Sequence, residues 1–144
     1  MTIKAFKDLI LYRIAEKNLH SPSDEMLNYE TYEAMLKIAN DCYPINLICR
    51  DGDDRLERVF RWVNDKGIYL RFPNLPIFNE DDPKYNPNTH IDFDEPLNYA
   101  VLNEVLFRLT LEKIYCQISD EVVSNYIANS KNVIMEPKYD RARK

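Results

Sequence analysis

Glycine is almost missing from this chain: Gly52 and Gly67 are the only two in 144 residues, where average usage of roughly 7% would place about ten. A dinucleotide fingerprint, a phosphate-cradling loop and a nucleophile elbow each need clustered glycines, where backbone approaches a ligand or turns sharply. None of the three can be built here. Histidine is equally scarce, with His20 and His90 alone, which leaves little for imidazole catalysis or metal ligation. Cys42, Cys49 and Cys116 are odd in number, widely spaced and without a C-x-x-C, so they indicate neither a disulfide framework nor a zinc knuckle. They read as buried free thiols. No apolar run approaches the roughly 18 residues of a spanning helix, and Lys4, Lys7, Asp8 and Arg13 interrupt the start of the chain where a secretory signal would be apolar. The expectation is a chain made in the cytoplasm with no membrane partner.

What is present is a globular composition, 45% hydrophobic, 12% aromatic and 30% charged. A chain of this length buries about two-thirds of its unfolded surface and folds as one domain without staples. Residues 2–18 read as a helix, with Ile3, Phe6, Ile10 and Ile14 stepping by three or four. Ser21-Pro22-Ser23-Asp24 starts a second: Ser21 is placed to cap, Pro22 suits the first helical position, and Asp24 lies near the positive end of the dipole. That helix is expected to reach Cys42, with Tyr32, Met35, Leu36 and Ala39 inward, and Pro44 stops it.

Residues 45–49 are β-prone, and Asp51-Gly52-Asp53-Asp54 is a turn. Val59-Phe60-Arg61-Trp62-Val63 and Ile68-Tyr69-Leu70-Arg71-Phe72, separated by Asn64-Asp65-Lys66-Gly67, form a β-hairpin. A two-residue loop would set Arg61 beside Leu70. A three-residue loop, with Asp65-Lys66 in a type I turn and Gly67 left-handed, puts Phe60, Trp62, Ile68, Leu70 and Phe72 on one face and Arg61, Tyr69 and Arg71 on the other, and this is the register expected.

Residues 73–95 hold four of the eight prolines and no apolar periodicity, so they are expected to form an extended loop of a length that usually marks function or disorder. Glu80, Asp81, Asp82, Asp92, Asp94 and Glu95 stand there against Lys84 alone, a balance of −5 that equals the net charge of the whole protein. Asp94-Glu95-Pro96 starts a third helix, apolar almost all round and expected to be central, which runs to Tyr115 or Cys116 with Glu104, Arg108 and Glu112 as its polar stripe. Ser119 caps a fourth, with Val122, Val123, Tyr126, Ile127, Ser130, Val133 and Ile134 inward. Pro137 stops it. The fold class expected is α+β: a mainly helical domain of about four helices over residues 1–137, with a β-hairpin, a long acidic loop and a basic tail at 138–144. Trp62, Leu70, Val101, Val105, Leu109 and Ile127 are the expected core.

This order, with Leu70-Arg71-Phe72-Pro73 ending the hairpin and Ile91-Asp92-Phe93-Asp94-Glu95-Pro96-Leu97 opening the helix pair, resembles the head-tail connector proteins of tailed bacteriophages. These are small adaptor or ring proteins beneath the portal. The likeness covers roughly residues 59–134. It implies a virion structural protein, assembled as a homo-oligomeric ring, often of twelve copies, that links portal to tail proteins with no catalytic residues and no cofactor. A small phage-type regulatory or inhibitor protein, binding a host protein through the acidic loop, is the alternative.

Sharper chemistry finds little support in the residues. The acidic segment lacks the Gly and bidentate Glu at fixed offsets that would make a calcium loop, and Asp51, Asp65 and Glu112-Lys113 have no common locus for a metal-dependent nuclease. With a pI near 5.1 and no basic stripe, sequence-specific nucleic-acid binding is not expected. Arg61 and Arg71 are cross-strand neighbours in the expected register, a repulsive arrangement that calls for neutralisation, either by a nearby carboxylate or by a neighbouring subunit's acidic loop. Ten tyrosines and Trp62 suit an interface as well as a core edge. The candidate interface residues are therefore Arg61, Arg71, Glu80, Asp81, Asp82, Asp92, Asp94, Arg141 and Arg143.

Overall fold

The computed structural model describes residues 1–50, 59–63 and 67–142, with side chains up to residue 129. Helix α1 spans Ile3–Glu16, capped by Thr2 Oγ1, which accepts from Ala5 N at 3.1 Å. It buries Ile3, Phe6, Ile10 and Ile14, the stripe its periodicity specifies. Helix α2 spans Asp24–Asp41, and its cap is Ser23 rather than Ser21: Ser23 Oγ accepts from Met26 N at 3.1 Å. Ser23 stands immediately before the first turn, so its oxygen reaches the free N–H groups and Pro22 falls outside the helix.

A 3-10 turn at Ile45–Leu47 leads into strand β1, Ile48–Arg50. Strands β2, Val59–Trp62, and β3, Ile68–Arg71, form the expected hairpin, and β1 pairs antiparallel with the other side of β3 to give the order β1-β3-β2. The Asp51-Gly52-Asp53-Asp54 turn and Asn64-Asp65-Lys66 lie outside the described residues. Gly67 has φ 86°, a conformation glycine takes without the cost a Cβ would impose. The register, however, is the other one. Arg61 faces Leu70, Trp62 faces Tyr69, and an irregularity at Phe60 brings Val59 opposite Arg71. Arg61 therefore shares the face of core residue Leu70 instead of opposing Arg71, and Trp62, expected inside, is 52% exposed.

Helix α3, Asn98–Thr110, follows a 3-10 turn at Glu95–Leu97 and is central as expected: Val101 and Val105 are fully buried, and it packs on α1, α2 and α4. Leu109 is only partly buried. The helix ends earlier than expected. Thr110 Oγ1 donates to Leu106 O at 2.7 Å and accepts from Glu112 N at 3.2 Å, and Leu111 turns left-handed at φ 63°. Helix α4, Lys113–Ala142, begins two residues later, so Ser119 is no cap: it lies within α4, buried, and donates to Ala100 O at 2.9 Å. Ile127, expected inward, is 41% exposed. The helix also continues through Pro137 to Ala142, where a stop was expected; proline removes one backbone donor from a thirty-residue run. The side chains of Ser130, Val133 and Ile134 lie outside the description. Among the described residues, no helix is long and apolar enough to cross a membrane.

Candidate functional site

The sequence singles out the segment between β3 and α3, and the fold turns it from an extended loop into a strap. Phe78, Ile91 and Phe93 are buried in the core. Phe78 stacks on Phe6 with ring centroids 5.7 Å apart, and its N–H donates to Asn28 Oδ1 at 2.8 Å. The far end of the strap is stitched to the start of α1, since Ile3 N donates to Thr89 O at 2.8 Å and Ile91 N to Met1 O at 3.0 Å. Apolar anchors spaced along a polar segment hold it to the body despite its charge, because each buried large side chain contributes about 1.5 to 3 kcal/mol.

Three of its carboxylates fasten it, Glu95 through the N-terminal ammonium of Met1. Asp92 faces Arg71 as a two-pronged pair, Nη1 to Oδ2 at 2.6 Å and Nη2 to Oδ1 at 2.9 Å. Arg71 is 8% exposed, and the carboxylate holds its guanidinium above the ordinary arginine range against the opposing effect of burial. Asp94 accepts from Ile45 N at 2.9 Å and Asn46 N at 2.7 Å, the free donors of the 3-10 turn before β1. It also accepts from the hydroxyl of Tyr126 on α4. Burial first, and the Asp94 hydrogen bond second, push the Tyr126 phenol well above its ordinary range. Asn46 joins the two carboxylates: its side-chain amide donates to Asp92 Oδ1 at 3.1 Å, its N–H to Asp94, and its carbonyl accepts from Arg71. Sequence reading missed Asn46 and Tyr126, whose roles depend on partners 46 and 32 positions away.

Arg61 is neither exposed nor set against Arg71. Its Nη2 donates to Ala39 O at 2.9 Å and Cys42 O at 2.5 Å, while the guanidinium lies 4.6 Å from the Tyr43 ring centroid. It closes the carbonyl end of α2, where a cation is favoured. This long-range partnership is the physical reason for the register: β2 shifts so that Arg61 faces the body. Of the remaining candidates, Glu80 and Asp81 are exposed, and Asp82 is half-buried with Oδ1 accepting from Lys84 N at 2.8 Å. Arg143 and the side chain of Arg141 lie outside the described residues. The acidic segment thus divides into Asp82, Asp92, Asp94 and Glu95, used within the chain, and Glu80 and Asp81, facing outward.

A second charged group sits between α2 and α3. Glu104 is 3% exposed and receives Arg108 Nε at 3.0 Å, with Lys37 at 3.9 Å; Arg108 also reaches Glu30 at 3.3 Å. Two acids and two bases at this interface neutralise one another. The expected stripe Glu104-Arg108-Glu112 is therefore internal at its first two positions, while Glu112 pairs at 3.0 Å with Lys17, the residue that ends α1. The described residues contain no group of three or more His, Cys, Asp or Glu able to hold a metal ion.

The outer surface carries apolar residues with no cover in the monomer. At the α3–α4 joint Leu111 is 77% exposed and Ile114 53%, followed one turn on by Ile118. At the opposite end, the strap and the start of α1 enclose an open cleft of about 210 Å³ lined by the apolar Ile3, Leu75, Pro76, Ile77 and Ile91 together with polar residues that include Lys84, Thr89, His90 and Asp92. No family model, curated protein or solved structure matches this chain.

Proposed function

We propose that this chain is a structural subunit of a head-tail connector of the tailed-phage kind, a non-catalytic adaptor that forms a homo-oligomeric ring between portal and tail proteins and acts in the virion after synthesis in the host cytoplasm. The observation that carries the reading is the uncovered apolar row Leu111, Ile114 and Ile118 at the joint of the central helix pair. Apolar side chains grouped on a helix hairpin suit burial against a neighbouring subunit. The motif likeness around Arg71 and Asp92 supports the same reading, because both residues serve to fasten the strap that such a subunit would present as a rigid surface.

Light scattering on the purified chain, alone and with a cognate portal, tests it. A ring subunit gives large species of defined copy number, directly or on the portal template. A chain that stays monomeric under both conditions is not a connector subunit. The outward Glu80-Asp81 turn favours the second reading, an inhibitor that docks on a basic host surface; that reading predicts a stable monomer or dimer that captures one host protein and no portal.

A further inference from the structure

Helix α4 outruns the helix it packs on. It lies antiparallel to α3, with Ser119 on Ala100 and Tyr126 on Asp94, so by Tyr126 it has reached the residue before the 3-10 turn that opens α3. Tyr126 is the last buried side chain among those described on α4, and Ile127, Ala128 and Asn129 after it are exposed. The helix nevertheless continues through residues 127–142, roughly 24 Å farther, and includes Pro137, a residue that a helix interior accepts only at a cost. Helical spacing sets Ile127, Lys131, Ile134, Lys138 and Arg141 on one stripe, in steps of four and three, with the acids Glu136 and Asp140 on the opposite side. From residue 130 onward the formal charge is +3, which leaves −8 on residues 1–129. A basic, half-apolar stripe thus leaves an acidic body.

One corner of that body matches it. The strap crosses the start of α2 through Asn79, which accepts from Asn28 Nδ2 at 2.5 Å and donates to Glu25 Oε1 at 3.0 Å. Asp8, Asp24, Glu25, Glu80, Asp81 and Asp82 gather there against Lys4, Lys7 and Lys84, a formal balance of −3. Lys7 pairs with Asp24 at 2.9 Å, Lys4 with Asp8 at 2.8 Å within electrostatic reach of Glu80, and Lys84 follows Asp82 in one turn. Glu33, two turns along α2 from Glu25, extends the acidic edge, and Lys37 beyond it is taken up by Asp41 and Glu104. The exposed Met26 and Tyr29 supply apolar surface on the same face of α2. The α4 of the same chain leaves in the wrong direction. Glu30 with Arg108 and Lys37 with Glu104 set α2 antiparallel to α3, so the start of α2 lies toward the end of α3, opposite the end at which α4 departs.

We infer that the end of α4 docks on a second copy of this chain, its stripe from Ile127 to Arg141 laid along the acidic corner made by Glu25, Tyr29 and Glu33 on α2 and Glu80-Asp81 on the strap. Single exposed ion pairs contribute little, so the contact draws on several charges at once and on the apolar positions between them. Tail and corner are different patches of one subunit. The contact is therefore heterologous and closes into a ring when the rotation per step allows it. The inference rests on the connector reading and specifies one contact within it.

The test reverses each patch in the full-length chain: Lys131→Glu, Lys138→Glu and Arg141→Glu in the tail, or Glu33→Lys, Glu80→Lys and Asp81→Lys at the corner. Sedimentation equilibrium up to roughly 1 mM protein reads association at about 50 mM and about 0.5 M salt. Wild type is expected to associate at the lower salt and less at the higher, and each variant alone to associate at least roughly 10-fold more weakly. Mixed in equal amounts, the two variants should recover association, because the acidic tail of one meets the basic corner of the other and the basic tail of the second meets the acidic corner of the first. Lys131→Gln with Lys138→Gln and Arg141→Gln replaces the tail reversal should that variant melt early, since glutamate is disfavoured near a helix C-terminus; it too should weaken association. Variants that associate like wild type, or a mixture that stays apart, place the contact elsewhere and overturn the inference, while the ring reading stands or falls by the portal experiment. A wild type monomeric at roughly 1 mM in low salt overturns it as well, and retention of that monomer by duplex DNA, lost on tail reversal, would assign the basic stripe to a nucleic acid instead.

Discussion

Arg71 and Asp92 are a partly desolvated pair, so removing one leaves the charge of the other uncompensated. Asp92→Ala leaves a guanidinium 8% exposed without its carboxylate and also removes an acceptor of Asn74 N, which donates to Asp92 Oδ2 at 2.7 Å. The expected cost is about 3 kcal/mol in urea unfolding, and a loss under about 1 kcal/mol would mean that water replaces the carboxylate there. The thiols divide in the same residue-level way. Burial pushes the Cys42 thiol up to about 12, and Cys49 is 7% exposed, whereas Cys116 is only half-buried. The thiolate is the reactive form. An aromatic disulfide reagent at pH 8 should therefore modify Cys116 first in the native protein and reach Cys42 and Cys49 only on unfolding, which mass mapping of the labelled peptides will read directly.

At the level of elements, what the sequence disclosed depends on how local the cause was. The apolar stripe of α1, the hairpin with its left-handed Gly67, and a central α3 follow from spacing and turn chemistry within a few residues. The α3–α4 joint does not, because Leu109-Thr110-Leu111-Glu112 contains neither glycine nor proline and the helix stops through Thr110 hydrogen bonds to its neighbours. Arg61 misleads for a different reason: alternation along β2 places it outside, but the free carbonyls of α2 draw it to the body. These placements set unequal costs for truncation. Leu106→Ala, at 1% exposure, should lose about 3 kcal/mol, whereas Ile127→Ala, at 41%, should lose less than about 1 kcal/mol. Tyr126, the contact between α4 and the strap, adds a pH signature. Its phenol ionises at higher pH when folded than the ordinary value of about 10, so the stability it contributes is complete below about pH 10 and falls as pH rises above it, the unfolded chain releasing the proton first. The difference in unfolding free energy between wild type and Tyr126→Phe should be constant from about pH 7 to 9 and shrink above about 10; a flat difference to pH 11.5 or so would show that Tyr126 titrates alike in both states.

For the molecule as a whole, the strap decides whether the acidic segment is a loose arm or part of one cooperative body. Composition suggested an arm, since like charges repel and no periodicity marks a core. The buried Phe78, Ile91 and Phe93, together with Asp92 on β3 and Asp94 on the turn before β1, tie it instead to every layer of the fold: α1 through Ile3 and Phe6, α2 through Asn28, the sheet through Arg71 and α4 through Tyr126. Opening it would expose three large apolar side chains at once. The amides of Phe78 and Ile91, both hydrogen-bonded, should accordingly exchange with deuterium at rates close to those of the α3 core amides, limited by global unfolding rather than by loop motion. Neutralising the outward acids, Glu80→Gln with Asp81→Asn, should leave both exchange and stability within about 0.5 kcal/mol of wild type, because neither side chain takes part in the fastening. Asp94→Ala should instead speed exchange at Ile91 and Phe93 far more than in α3, since it removes the one carboxylate that accepts from the Ile45 and Asn46 N–H groups and the Tyr126 hydroxyl together. Fast exchange at Phe78 and Ile91 in the wild type, with α3 still protected, would return the segment to the status of an arm and leave Asp92 and Asp94 available to partners.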